Sequence, residues 1–254
     1  MRWEAEALWQ AVAPLLPGFT VEILPEVDSS NSELMRRARA GRTEPVLLVA
    51  ERQTAGRGRL GRAWRSAPGD SLTFSLGLTL APADWSGLSL AVGASLAESL
   101  HPRVRLKWPN DLWLDDRKLA GILIETASFG AGGPGARQAV IGVGINIAPR
   151  PAEGLSTPPA ALRELLPDID ASAALLRVVP ALVRDVLDFA ASGFAPFHAR
   201  FDARDALRDR AVTLSDGTAG TAHGVGEDGS LLVHTAAGLH AVGSSEVSVR
   251  PAVR

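Results

Sequence analysis

The chain has 254 residues, a formal net charge of −2 and no cysteine. That length supports a sizeable core, the near-neutral charge gives no global pull toward nucleic acid or an anionic membrane, and the missing thiol excludes disulfides, thiolate metal sites and a thioester mechanism. No apolar run reaches the ~18 residues needed to cross a bilayer, and the opening "MRWEAEALWQ" lacks the apolar core of a signal peptide, so a cytoplasmic protein with no membrane partner is expected.

In chain order, Trp3 to Val12 has amphipathic helical spacing and stops before Pro14 and Pro17. "VEILPEV" reads as a strand, and "SNSE" at 30–33 has the capping-box form that opens a helix running to about Ala40. "PVLLVAE" is a buried strand, while "QTAGRGRLGRAWRSAPGD" is too rich in Gly and Arg to be anything but a loop. "SLTFSLGLTL" alternates as a strand, and "SGLSLAVGASLAESL" has helical spacing with small residues that allow close packing. "VRLKW" and "DLWL" flank a Pro-Asn corner as strands, followed by the strands "KLAGILIETA" and "AVIGVGINI", with "GAGGPG" (130–135) as a surface turn between these two. "ASAALLRVVPALVRDVLDFAAS" is helical and is expected to restart near Pro180, since proline disrupts a helix interior. A last helix covers roughly 194–207, and from Arg210 short β segments broken by Gly and Asp predict a small antiparallel barrel.

Three features carry chemistry. In "GRGRLGR" (56–62), glycines allow close backbone approach and let the loop fold over a ligand, while guanidinium forks suit carboxylate and phosphate oxygens. Alone it reads equally well as a solvated basic loop or a nucleic-acid contact, and no Gly-Lys-Ser/Thr follows to make it a phosphate loop. The chain writes basic as Arg almost everywhere and holds two lysines, Lys107 and Lys118, in one twelve-residue stretch. An ammonium is a compact point charge that enters a slot where a planar guanidinium clashes, and it can neutralise two acidic groups brought together. The three asparagines, Asn31, Asn110 and Asn146, fall in the same motifs, offering amide donors and acceptors, although capping or turn roles also suit Asn31 and Asn110. Gly142 and Gly144 leave one strand face without side chains, as where a ligand lies against the backbone. Together these residues describe a nucleotide-using site with a flat organic ligand.

"DSSN" (28–31), "ERQTAGRGRLGRAW" (51–64), "KWPNDLW" (107–113), "KLAGILIE" (118–125) and "GVGINI" (142–147) resemble, in order and spacing, the successive signatures of the biotin protein ligase family. Ser30 stands where that family commonly has Thr, which keeps the hydroxyl, and Leu60 occupies a position the family varies. The resemblance implies an α+β fold, with a mixed β-sheet carrying helices on one side, of the class II aminoacyl-tRNA-synthetase-like or biotin–lipoate ligase type. It further implies a biotin/ATP-binding catalytic domain over residues 1–207 and a small Src-homology-3-like β-barrel over 208–254. About 20 residues precede the first strand, too few for the winged helix-turn-helix repressor domain of some members, so the monofunctional type is expected.

Carried over residue by residue, Ser29, Ser30, Asn31, Gln53, Gly56, Arg57, Gly58, Arg59, Lys118 and Gly121 are implied to meet biotin. Trp64, Lys107, Asn110, Asp111 and Asn146 are implied to line the ATP side, and Lys118 and Arg59 to act in catalysis; ligands to Mg²⁺ are not assigned. The implied reaction joins biotin and Mg²⁺-ATP into biotinyl-AMP, then transfers biotin to a lysine of a biotin carboxyl carrier protein or domain, of acetyl-CoA carboxylase or a related carboxylase. The implied enzyme is a monomer or homodimer with no nucleic-acid partner. A lipoate or octanoate ligase or transferase of the same fold is the nearest alternative, and a nucleic-acid binding module built on the Arg loop is a more distant one.

Overall fold

Strand alternation builds one sheet with two unlike faces. The computed structural model describes residues 2–128, 135–153, 155, 157–243 and 249–251, so most of the expected 130–135 turn lies outside the described residues. The larger sheet has the order β1-β2-β3-β7-β6-β5-β4, with β1 Thr20–Val27, β2 Val46–Gln53, β3 Ser71–Leu80, β4 Arg105–Lys107, β5 Asp111–Leu114, β6 Arg117–Ala127 and β7 Arg137–Asn146. β1 and β2 run parallel, joined through α2 (Ser30–Arg39), and every other neighbouring pair is antiparallel.

Along β3, Leu72, Phe74, Leu76 and Leu78 point into the core. Ala139, Ile141, Val143 and Ile145 of β7 do the same. Four helices seal that face: α1 (Ala5–Val12), α3 (Leu88–Leu100), α4 (Ala171–Ser192) and α5 (Ala195–Asp202). Each large side chain buried there contributes about 1.5–3 kcal/mol relative to exposure. The opposite face carries α2 over one part, through a small cluster of Leu34, Met35, Leu48 and Val140. The expected layer of helices is thus concentrated on one side, and the functional cavity opens on the other.

Three local expectations are corrected. The helix expected to restart near Pro180 is one continuous 22-residue α4, capped by Asp170, whose side chain accepts from the Ala173 amide. A mid-helix proline costs about 3 kcal/mol, and the buried stripe of Leu175, Val178, Val179, Leu182, Val183 and Val186 on either side of it outweighs that cost. The cap of α2 is Ser29 rather than Ser30, and Glu33 pairs with Arg36 and Arg37 instead of closing a capping box. Ser30 has turned inward. The last helix ends at Asp202, where residues 203–207 become turns that pair with β4.

β8 (Ala211–Leu214), β9 (Ala219–Val225), β10 (Leu231–Thr235), β11 (Gly238–Val242) and β12 (Val249–Pro251) form a second, antiparallel, SH3-like sheet in the order β11-β10-β9-β8-β12. Val212, Ala222, Val225, Leu231 and Val233 belong to the same apolar cluster as Phe74, so no solvent layer separates the two sheets. The fully buried Trp108 donates its indole N–H to the Gly229 carbonyl at 3.1 Å, which ties the Pro-Asn corner to the second sheet. The Trp108–Pro109 peptide bond is cis. No helix among the described residues is long and apolar enough to cross a membrane.

Candidate active site

The open face of the sheet carries one cavity whose two ends differ in chemistry. Its neutral end lies at the start of α2. There the Ser30 amide and hydroxyl both donate to Gln53 Oε1, at 2.7 and 3.1 Å. Ser75 reaches up from β3 to within 2.7 Å of the Ser30 hydroxyl and 2.6 Å of Asn31 Oδ1. The Asn31 amide donates to the Leu123 carbonyl and to Glu125, each at 3.0 Å. Ser29, Ser30, Asn31 and Gln53 are all buried. A buried, neutral, hydrogen-bonded network has a fixed shape and suits an uncharged polar ring.

The other end is cationic. Lys118 Nζ lies 2.6 Å from Asp111 Oδ1 across the β5–β6 pair. Lys107 is only 8% exposed, and its ammonium lies 5.9 Å from the Trp113 ring centre. Burial pushes the Lys107 pKa down to about 8, with Lys118, Arg62 and Arg59 pushing the same way and Asp111 opposing them. Arg59 Nη1 donates to Asn110 Oδ1 at 3.3 Å, and burial lowers the Arg59 pKa also. Arg62 and Arg150 complete a lining in which cations outnumber the single carboxylate, Asp111. Such an excess in a partly dry cavity attracts an anion.

The Gly-Arg loop closes over this cavity as a hairpin. Trp64 N donates to Gly56 O at 2.8 Å, Gly58 N to Arg62 O at 2.7 Å, and Arg57 bridges to Ala63. Arg57 is held by Glu125, its Nη2 at 2.8 and 3.0 Å from the two carboxylate oxygens. Gly56 is needed because a side chain there would run into the Trp64 carbonyl. The glycine-bearing face of β7 is not bare, contrary to expectation: a methyl at Gly142 would overlap the Asn31 amide, and one at Gly144 the Trp64 indole. Those glycines admit protein side chains that wall the cavity.

Of the fifteen residues singled out in the sequence, thirteen line this one cavity: Ser29, Ser30, Asn31, Gln53, Arg57, Gly58, Arg59, Trp64, Lys107, Asn110, Asp111, Lys118 and Gly121. Gly56 does not line it but packs against two residues that do, Gln53 and Trp64. Asn146 faces away, its amide donating to the carbonyls of Lys118 and Ala160, each at 3.0 Å, so it fixes the strand that carries Lys118. Sequence reasoning missed Ser75, Glu125, Thr73 and Arg150. Ser75 and Thr73 were legible as the polar half of the alternating "SLTFSLGLTL"; Glu125 ends the "KLAGILIE" signature without a role being assigned to it, and Arg150 carries no local signal. Among the described residues no group of three or more His, Cys, Asp and Glu side chains could hold a metal ion.

Residues 25–146 match the Biotin/lipoate A/B protein ligase family. The bifunctional ligase/repressor BirA of Escherichia coli is 36% identical over 249 residues, spanning 93% of this chain and 76% of that protein. A biotin–[acetyl-CoA-carboxylase] ligase of Paracoccus denitrificans is 30% identical over 246 residues, spanning 89% of this chain and 98% of that one. The solved structure of the Aquifex aeolicus biotin protein ligase in complex with biotin and ATP superposes with a TM-score of 0.77 at 30% identity, over 91% of this chain and 99% of the other. The cavity, the two-sheet architecture and similarity over nearly the whole length agree: this chain belongs to the biotin protein ligase family.

Proposed function

We propose that the protein is an ATP-dependent biotin ligase that makes biotinyl-5′-AMP and passes biotin to a lysine of a biotin carboxyl carrier protein or domain. One observation carries this reading: a single cavity joins a neutral hydrogen-bonded end, at Ser30, Asn31 and Gln53, to a cationic end, at Lys107, Lys118 and Arg59. The ureido ring of biotin suits the first and the triphosphate the second. Biotin's carboxylate then meets the α-phosphate near Lys118.

In the first step a carboxylate oxygen attacks the α-phosphorus, an O–P bond forms, and pyrophosphate departs with the electrons of the broken bond. Lys118, oriented by Asp111, neutralises the two anions that must approach each other. Lys107 and Arg59 neutralise charge on the leaving side. Mg²⁺ would arrive on ATP as part of the substrate, since the cavity lining holds one carboxylate and Lys118 already engages it. In the second step the acceptor amine attacks the acyl carbonyl, the C–N bond forms, AMP leaves, and the amine proton passes to solvent. No protein nucleophile takes part, so positioning and charge neutralisation supply the catalysis. Residues 1–207 act as the catalytic domain and 208–254 as a buttress behind Trp108. The acceptor is a carboxylase carrier domain in the cytoplasm.

The test is pyrophosphate release from ATP on adding biotin, lipoate or octanoate in turn, followed by mass analysis of an added carrier domain. Biotin alone should support release and produce an adduct on the carrier. Release with lipoate or octanoate but not biotin would overturn the substrate assignment.

A further inference from the structure

Arg150 follows β7 in "INIAPR" and belongs to none of the sequence motifs described above. Its guanidinium carbon stands 5.4 Å from the centre of the Trp64 ring, at the cationic end of the cavity. Among the described residues one hydrogen bond holds it, from Nη1 to the Arg65 carbonyl at 3.2 Å, and its buried Nε has no partner. Burial lowers its pKa. The Trp64 indole is pressed against Gly144 so closely that no methyl group fits between them. A planar ligand therefore finds the Trp64 face toward Gly144 filled and must use the face that Arg150 covers.

From this geometry we infer that Arg150 is the second jaw of a clamp for the nucleotide base, which stacks between its guanidinium and the Trp64 indole. Atoms in stacked contact lie about 3.5–4 Å apart, so a base between two planar groups requires roughly 7 Å. The observed 5.4 Å is wider than a closed stack and narrower than an open one. A displacement of about 2 Å opens it, and among the described residues one 3.2 Å hydrogen bond and the contact with Trp64 itself oppose the movement. Guanidinium is suited to this task because it is planar, weakly hydrated and stacks on π-faces, which ammonium does not do. The inference rests on the ligase reading for the identity of the nucleotide.

Stacking of a base on an aromatic or guanidinium plane is worth about 1–3 kcal/mol by alanine substitution. Arg150→Ala should accordingly raise the KM for ATP by about 10-fold or more, leaving the KM for biotin unchanged and kcat within a few-fold. Two further variants separate stacking from charge. Arg150→Gln keeps a planar end without charge and should recover part of the loss; Arg150→Lys keeps charge without a plane and should resemble Ala. Titration of adenosine, which has no phosphate, into the biotin-bound protein should show the same loss in the Ala variant. Rescue by Lys but not Gln, or undiminished adenosine binding, would make Arg150 a phosphate contact and overturn the clamp. Wild-type pyrophosphate release separates the two readings: an inert wild type defeats the ligase assignment, whereas an active wild type with unaltered Arg150 variants defeats only the clamp.

Discussion

On one face of the larger sheet, Leu72, Phe74, Leu76 and Leu78 of β3 are buried beneath four helices. On the other face, one residue away along the same strand, Thr73, Ser75 and Gly77 look toward α2 and the cavity. β7 repeats the division, with Ala139, Ile141, Val143 and Ile145 inward and Gly142 and Gly144 outward. The first face is an apolar core in which stability accumulates. The second is thinly covered and holds a buried lysine, a buried amide network and polar atoms without partners, among them Thr73 Oγ1, Trp64 Nε1 and Arg150 Nε. The period-two repeat of a strand lets one segment serve stability and chemistry at once. The substitutions below test whether the two faces are separable.

The largest effect is expected at the sealed face. Leu76→Ala should cost about 2–5 kcal/mol in chemical denaturation, through lost burial and a cavity that helices on one side and sheet on the other cannot close. Biotin affinity of the folded fraction should be unaltered. The neighbouring Ser75→Ala should do the reverse, weakening biotin roughly tenfold by leaving Asn31 Oδ1 without a donor, at a stability cost of about 1–3 kcal/mol. Equal losses of biotin affinity in both variants would show that the faces are coupled.

On the open face, Lys118→Arg should lower biotin-dependent pyrophosphate release by about 10²-fold or more, the scale for losing one positioned transition-state donor. Folding stability should stay within about 0.5 kcal/mol of wild type. A drop of less than threefold would mean that the slot beside Asp111 accepts a planar fork.

Lys107 sharpens the contrast, because it is a stability cost retained for function. Its pKa is about 8 in the fold against 10.5 for an ordinary lysine. Below pH 8 both folded and unfolded chains carry the proton, and the burial penalty, roughly 3 kcal/mol, applies in full. Between about 8 and 10.5 the folded chain releases the proton while the unfolded chain keeps it, so this contribution to stability rises with pH. Lys107→Met should therefore be more stable than wild type at pH 7, and the difference should shrink toward pH 10. ATP affinity of wild type should fall as pH rises through 8, since the site then loses a cation, and the variant should lack that inflection. Matching stability profiles for the two proteins would remove Lys107 from the cost side.

How much of this was legible depended on distance along the chain. Strands β2, β3, β6 and β7 could be read from alternation or apolar runs, and the site motifs from residue type, because both signals are local. The Ser29 cap was misplaced by one residue, since the hydroxyl of Ser30 is claimed by Gln53, 23 positions away. Pro180 reads as a break because its cost is local, whereas the packing that outweighs it comes from α1, α3 and β3. The tether between Arg57 and Glu125 spans 68 positions. No pattern announces it.

The smallest effect concerns Leu60, at the tip of the Gly-Arg loop. Its φ is 55° and its ψ 35°, the left-handed region, and its side chain is 59% exposed at the cavity mouth. A non-glycine residue in that region costs about 1–2 kcal/mol, and an exposed side chain recovers little of it by burial. Glycine would relieve the strain but lose roughly 0.5–1 kcal/mol through its greater freedom in the unfolded chain. Leu60→Gly should thus stabilise the protein by at most about 1 kcal/mol, seen as a rise in Tm of ~1–3 °C. The Gly58–Arg62 and Gly56–Trp64 backbone bonds that close the hairpin do not involve the Leu60 side chain and should persist. With them, pyrophosphate release should stay within about threefold of wild type, since the arginines keep their places. A fall in Tm instead would show that the leucine packs usefully against the loop, and that strain on the open face is offset locally rather than by the sealed face beneath it.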